Sequence, residues 1–171
     1  MKKYFLLFLL LTACVGLPPG VKPVDNFVLE KYLGKWYEIA RLDHSFERGL
    51  ESVSAHYSLR SDGGVRVINR GYSVKEGLWK QAEGKGYFVG PPNQGFLKVS
   101  FFGPFYGSYV VFELDWENYS HALVCGPDRS YLWLLARSPS IDQAAREKLI
   151  AKAASLGFAT GKLIFVNHDQ K

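Results

Sequence analysis

Between residues 52 and 60 apolar and polar side chains alternate one by one. Val53, Ala55, Tyr57 and Leu59 fall on one side, and Ser52, Ser54, His56 and Ser58 on the other. A period of two marks a strand with one buried face. Strand-like runs recur at 35–42, 65–72, 78–89, 96–102, 108–115, 120–126 and 131–137. Turn residues such as Ser61-Asp62-Gly63-Gly64 and Gly90-Pro91-Pro92-Asn93 separate them. Eight strands joined mostly by short connections predict antiparallel hairpins, and closing them into a barrel removes both exposed edges. After residue 140 the period changes. Ala145, Leu149, Ala153 and Leu156 recur at helical spacing, Ser140 with Gln143 reads as a capping box, and Gly157 reads as the stop. A last short strand is expected at 162–166, and a helical turn within 25–33. The fold class is therefore all-β: an eight-stranded antiparallel up-and-down β-barrel, with one C-terminal α-helix packed outside and a short final strand.

The chain begins differently. Met1-Lys2-Lys3 is a positive stretch followed by the apolar run 4–11, far short of the ~20 residues that span a bilayer. It ends in Leu11-Thr12-Ala13-Cys14, which resembles the lipobox of bacterial lipoproteins. That resemblance implies cleavage before Cys14, acylation of its thiol and new amino group, and, with Val15 rather than Asp following, retention at the outer membrane, facing the periplasm. Pro18, Pro19, Gly20 and Pro23 then oppose regular structure. The expected division is 1–13 signal peptide, 14–24 lipid-modified cysteine and tether, and 25–171 folded domain. With Cys14 acylated, only Cys125 remains, and no intrachain disulfide forms. Its apolar surroundings, Ala122-Leu123-Val124, predict a buried inert thiol. Net charge is +5; without Lys2 and Lys3 the balance is 19 basic to 16 acidic, scattered along the chain, so nucleic acid is not an expected partner.

Three elements carry a family resemblance. Gly34-Lys35-Trp36-Tyr37 resembles the lipocalin G-x-W signature. Leu114-Asp115-Trp116, after the sixth strand, resembles the family's T-D-Y element with only the Asp kept. Arg137, closing the eighth strand before Ser138-Pro139, resembles the third element. Asn69-Arg70-Gly71, Phe88-Val89-Gly90-Pro91-Pro92 and Ala122-Leu123-Val124-Cys125-Gly126-Pro127 are similar to the bacterial lipoprotein lipocalins, relatives of apolipoprotein D. The resemblance spans about 33–166. It implies that Trp36 and Arg137 plug the barrel base, that Gly34 turns the chain beneath it, and that Asp115 holds its turn.

Counting outward from those anchors gives the inner face. Tyr131 and Trp133 share the side of Arg137; Tyr109, Val111 and Glu113 follow on the sixth strand and Val124 on the seventh; Tyr57, Asn69, Val99 and Phe101 come from earlier strands. Ala82, Gly84, Gly86, Ser120 and Ala122 are expected to leave volume. Glu38, in phase with Trp36, and Glu113 and Asn69 need hydrogen-bond partners if they face inward. They either form a structural network near the base or meet a ligand headgroup. The loop Phe101-Phe102-Gly103-Pro104-Phe105-Tyr106-Gly107, with Phe46, is expected to form a lip at the mouth, to dock to a membrane or second copy, or to fold inward. His44, His56, His121 and His168 are read as surface residues, none at metal-ligand spacing, and no G-x-S-x-G elbow is present. No metal, cofactor or catalysis is expected. The function expected is a lipid-anchored envelope protein that binds a fatty acid, lysophospholipid or similar apolar molecule. A different apolar cargo, or a filled barrel that binds a partner protein, are the alternatives, and a homodimer is an open option.

Overall fold

The computed structural model describes residues 15–170. Cys14 and the stretch preceding it lie outside the described residues. The elements are α1 (Leu29–Tyr32), β1 (Gly34–Arg41), β2 (Leu50–Leu59), β3 (Val65–Ser73), β4 (Leu78–Phe88), β5 (Phe96–Phe102), β6 (Phe105–Leu114), β7 (His121–Cys125), β8 (Leu132–Ala136), α2 (Gln143–Ser155) and β9 (Ile164–Phe165). Strands β1 to β8 pair antiparallel in chain order, and β8 returns to β1 to close the barrel. The β1–β2, β3–β4, β5–β6 and β7–β8 connections turn at one end, the mouth. The other three turn at the base, where α1 lies.

Burial separates into an inner and an outer core. The inner one gathers Trp36, Tyr57, Val65, Val67, Leu97, Val111, Leu114, Ala122, Val124 and Leu135. The outer one gathers Ile39, Val110, Phe112, Leu123, Cys125, Leu132 and Leu134 from the opposite faces of the strands, with Leu149 and Ala153 of α2 and Phe158. Phe112 stacks on Phe158 at 5.5 Å, fixing the chain beyond α2 to the barrel wall. The helix starts later than the capping box predicts. Asp142, not Ser140, is its cap, accepting from Ala145 N at 3.1 Å. An Asp directly before the first helical residue satisfies an orphan N–H that Ser140, further away, does not. Gly157 has φ +83 just past the helix, where a side chain would be strained.

Residues 15–24 carry no helix or strand except at their approach to Asp25, yet they lie on the barrel. Gly16 N donates to Ser108 Oγ at 2.8 Å, Val24 N donates to Val111 O at 2.9 Å, and Pro18 and Val21 are buried. Beyond α2, β9 adds to β1 from outside at Ala40 and Arg41. Only Gly34, Lys35, Trp36 and Tyr37 of β1 pair with β2, so the upper halves of these strands part. The segment after β9 fills the gap: Val166 N donates to Ile39 O (3.0 Å), and Ser52 N donates to Asn167 O (2.7 Å).

Candidate binding site: the barrel interior and its mouth

The base is sealed by Trp36, which has no exposed surface. Its indole N–H donates to Tyr32 O at 2.7 Å, and the Arg137 guanidinium lies 4.1 Å from the ring centroid. Arg137 also donates to the carbonyls of Lys31, Lys35 and Tyr119, tying α1, β1 and the β6–β7 turn together. Gly34 turns with φ +94 beside that guanidinium. Asp115 accepts from Ser120 N and Ser120 Oγ across its turn.

Above the plug sits a chain of phenols. Tyr109 OH is 2.8 Å from both Tyr32 OH and Tyr57 OH. Burial is the first cause that raises all three pKa values, so they stay neutral. Three hydroxyls carry three protons, and two contacts use two of them. One O–H is left over within the triad. The rings, with Phe27, Val67 and Val99, line an apolar space. That space is only about 10 Å³, at the lower limit for one water. The small residues of β4 explain part of this closeness. A Cβ on Gly84 would meet the Phe101 ring at 2.9 Å, so the glycine makes a berth for an aromatic rather than leaving volume. Toward the mouth the interior opens. Ala82, paired with the inward Asn69, is exposed, and Ala55 and Trp133 are half-buried. A recess of about 200 Å³ among Arg60, Glu83, Lys85 and Ser100 lies on the outer side of β4 and β5, and charges line it.

An ionic cluster is built into the wall below the rim. Arg41 Nη1 donates to Glu38 Oε1 at 2.6 Å, and Nη2 donates to the carbonyls of Glu47 (3.0 Å) and Leu50 (3.1 Å). Trp133 Nε1 donates to Glu47 Oε2 at 3.0 Å. Glu38, Arg41 and Glu47 are all buried. One cation thus faces two carboxylates. Burial, and then the Glu47 charge, raise the Glu38 pKa to about 8 against the pull of Arg41. Burial likewise raises Glu47, opposed by Trp133 and Arg41. Arg41 Nε and Asn69 Oδ1 are buried without a hydrogen-bond partner. His44 completes the rim, stacked between Phe46 and Tyr131, each 5.1 Å away, with Trp133 at 4.7 Å. Burial, then Arg41, depress its pKa to about 4, which leaves the ring neutral at physiological pH.

Most of the residues expected inside are inside. Tyr57, Val99, Phe101, Tyr109, Val111, Val124 and Trp133 belong to the inner core, and Asn69 faces it. Tyr131 stands at the rim against His44. Glu113 is a correction. A β-bulge shifts the register between Val111 and Glu113, placing Glu113 opposite Leu123 of the outer core and 3.9 Å from Lys152 of α2. Leu114 takes the inward position instead. A bulge adds one residue to one strand and reverses the alternation beyond it. His44, expected on the surface, is buried for the reasons above. Cys125 is the buried thiol expected, its pKa pushed up to about 12 by burial and then Asp128. Simple alternation missed Arg41, because a second irregularity between Glu38 and Ala40 turns it inward. The signal was present: a buried Glu38 demands a partner, and the next arginine lies three residues on.

Comparison with known proteins matches this architecture. A family model described as Lipocalin-like domain covers residues 25–168. The chain is a lipocalin. It is 58% identical over 171 residues to "Outer membrane lipoprotein Blc" of Vibrio cholerae, covering 99% of this chain and all of that one. It is 36% identical over 131 residues to apolipoprotein D of Bos taurus, covering 73% and 68% of the two chains. Insecticyanin from the tobacco hornworm Manduca sexta superposes with a TM-score of 0.69 at 25% identity, covering 89% of this chain and 86% of that one. This lipocalin is a bacterial outer-membrane lipoprotein, and its family and relatives make it a binding protein for hydrophobic ligands rather than an enzyme.

Proposed function

We propose that this lipocalin holds a fatty acid or lysophospholipid, with acylated Cys14 as its membrane anchor, for lipid storage, transport or membrane maintenance. The observation that carries the reading is the polarity gradient along the barrel axis. An apolar aromatic shaft ends below in the neutral Tyr32–Tyr109–Tyr57 floor, and the ionic groups of the inner wall, Glu38, Arg41 and Glu47, lie toward the rim. An acyl chain has one apolar body and one polar end, so it fits a site with this order. The chain lies between Trp133 and the Ala82–Asn69 wall. The headgroup stays near Arg41, whose Nε N–H has no partner within the protein. Burying about 300 Å² of chain gains roughly 7 kcal/mol before the entropic cost of binding, consistent with micromolar affinity or better.

Trp133 offers the direct test. Its ring is half-buried and walls the open half of the shaft. Trp133→Ala is expected to weaken binding of a long-chain fatty acid about tenfold, or ~1.4 kcal/mol, by calorimetry. Its urea midpoint is expected to move proportionately less. Unchanged affinity with a large loss of stability would remove Trp133 from the site. Native mass spectrometry of the gently purified protein reads the ligand class: a co-purifying fatty acid or lysophospholipid, one per barrel, supports the proposal. A barrel that stays empty after incubation with a lipid panel defeats it.

A further inference from the structure

The four connections at the mouth are not alike. Three of them expose apolar side chains. Phe102 and Phe105 on the β5–β6 hairpin are 81% and 61% exposed, Phe46 on the β1–β2 loop is 61%, and Val74 and Leu78 flank the β3–β4 turn at 55% and 46%. The fourth, 126–131, instead receives the start of the described chain. Gly16 is held to Ser108 by hydrogen bonds in both directions, a Cβ at Gly16 would stand 4.0 Å from Pro127 O, and Arg129 donates to Pro19 O. The chain therefore comes onto the barrel at the mouth and runs down the wall to α1 at the base. Val15 and Gly16, the first described residues, thus stand at the mouth end, next in sequence to the proposed anchor.

The charges near the rim are largely spent on one another. Arg48 pairs with Asp43, and Lys80 with Glu76. What the rim offers is apolar, and it is offered on opposite sides of the opening, because β1–β2 and β5–β6 lie across the barrel in the strand order. Contacts on both sides of a ring hold its axis upright on a plane, whereas a one-sided patch would let it lie down. The base exposes Leu59, Val89 and Trp116 less fully than the leading mouth aromatics, and the first described residues do not lie there.

From these positions we infer that the mouth rim, through Phe46, Phe102 and Phe105, docks onto the same lipid leaflet that holds the Cys14 acyl chains. The open interior then faces the bilayer directly, and a lipid enters or leaves without crossing water. This rests on the proposed anchoring at Cys14. Aromatic and aliphatic side chains settle at the boundary between headgroups and acyl chains, where a modest apolar area suffices once an anchor keeps the protein in place. The acyl chains are the firm contact, and they raise the effective concentration of the weaker rim contact.

The test uses the full acylated chain in vesicles of phosphatidylethanolamine with a minority of phosphatidylglycerol. A polarity-sensitive fluorophore is placed at Phe102→Cys at the mouth or Trp116→Cys at the base. Cys125 is fully buried and stays unlabelled. The mass of the N-terminal peptide is read first; an unmodified Cys14 overturns the anchoring that the inference rests on. With Cys14 acylated, the fluorophore at 102 is expected to shift to the blue and lose most of its signal to quenchers on the lipid chains. The fluorophore at 116 keeps its aqueous spectrum. If both remain aqueous, the protein hangs from its anchor without docking and the inference fails. If 102 is shielded but unquenched by lipid, a second copy covers the rim, which equally overturns it.

Discussion

Arg41→Met is expected to destabilise the lipocalin by ~3–5 kcal/mol above neutral pH and by much less in mild acid. The asymmetry follows from the cluster it leaves. Without the guanidinium, Glu38 and Glu47 are two buried carboxylates with no cation between them. The native protein already shows the sign of the effect. Glu38 is held near pH 8 in the folded state and ionises near 4.5 when unfolded. Between those values the folded state binds more protons, so the contribution of Glu38 to stability is full below about pH 4.5 and is lost as pH rises toward 8. Removing Arg41 raises both carboxylates further, steepening that loss and extending it to higher pH. Glu38→Gln removes one titrating group and is expected to flatten it. Urea midpoints at about pH 5 and pH 8 for the three proteins decide the matter. Equal losses in Arg41→Met at both pH values would mean that the guanidinium acts only by filling space and bonding carbonyls.

Trp36→Ala is expected to cost about as much at every pH. Emptying a fully buried aromatic site costs ~3–5 kcal/mol, and the Arg137 stack adds ~0.5–2 kcal/mol. Against a typical domain stability of ~5–15 kcal/mol, the variant loses much of its margin. The same substitution at exposed Trp116 is expected to fall within about 0.5 kcal/mol of the native value. Urea unfolding of the anchor-free Cys14→Ser chain compares the two directly. A Trp36→Ala variant as stable as Trp116→Ala would show that the base seals itself without the plug.

The barrel is legible where one face of a strand is buried, as in β3 with Val65 and Val67 in and Arg66 out, because burial on one face writes a period of two; β7 and β8 are buried on both faces and carry no such alternation. The Trp36–Arg137 plug was legible for a different reason: the resemblance of Gly34-Lys35-Trp36 and Arg137 to the lipocalin elements implies it, and the inner face was counted outward from it. Counting failed where the backbone breaks step. The β1 irregularity brings Arg41 in, and the β6 bulge sends Glu113 out to Lys152. The site thus loses one expected carboxylate, Glu113, and gains a guanidinium between Glu38 and Glu47. Buried His44 was illegible because it sits in a loop with no period at all. Its place comes from ring stacking with residues far along the chain, Tyr131 and Trp133. Gly84 shows a further limit. A small residue on an inner face reads as free volume until the Phe101 ring is seen to occupy it.

The segment after α2 closes the seam between the upper halves of β1 and β2, and it is the last part of this fold to be synthesised. A chain made and exported N-terminus first can therefore form its plug, its floor and all seven hairpins while its wall still gapes beside Glu38. His168, whose Nε2 lies 2.8 Å from Glu38 O, and Asn167, bonded to Ser52, complete the wall after everything else is in place. A chain ending before Leu163 is expected to keep its eight strands but to exchange the backbone amides of 38–41 and 50–54 rapidly in deuterated water. Slow exchange there would show that the seam shuts unaided. Sealing from the tail makes this stretch of the barrel wall depend on the residues after α2, where a β1–β2 ladder would otherwise stand.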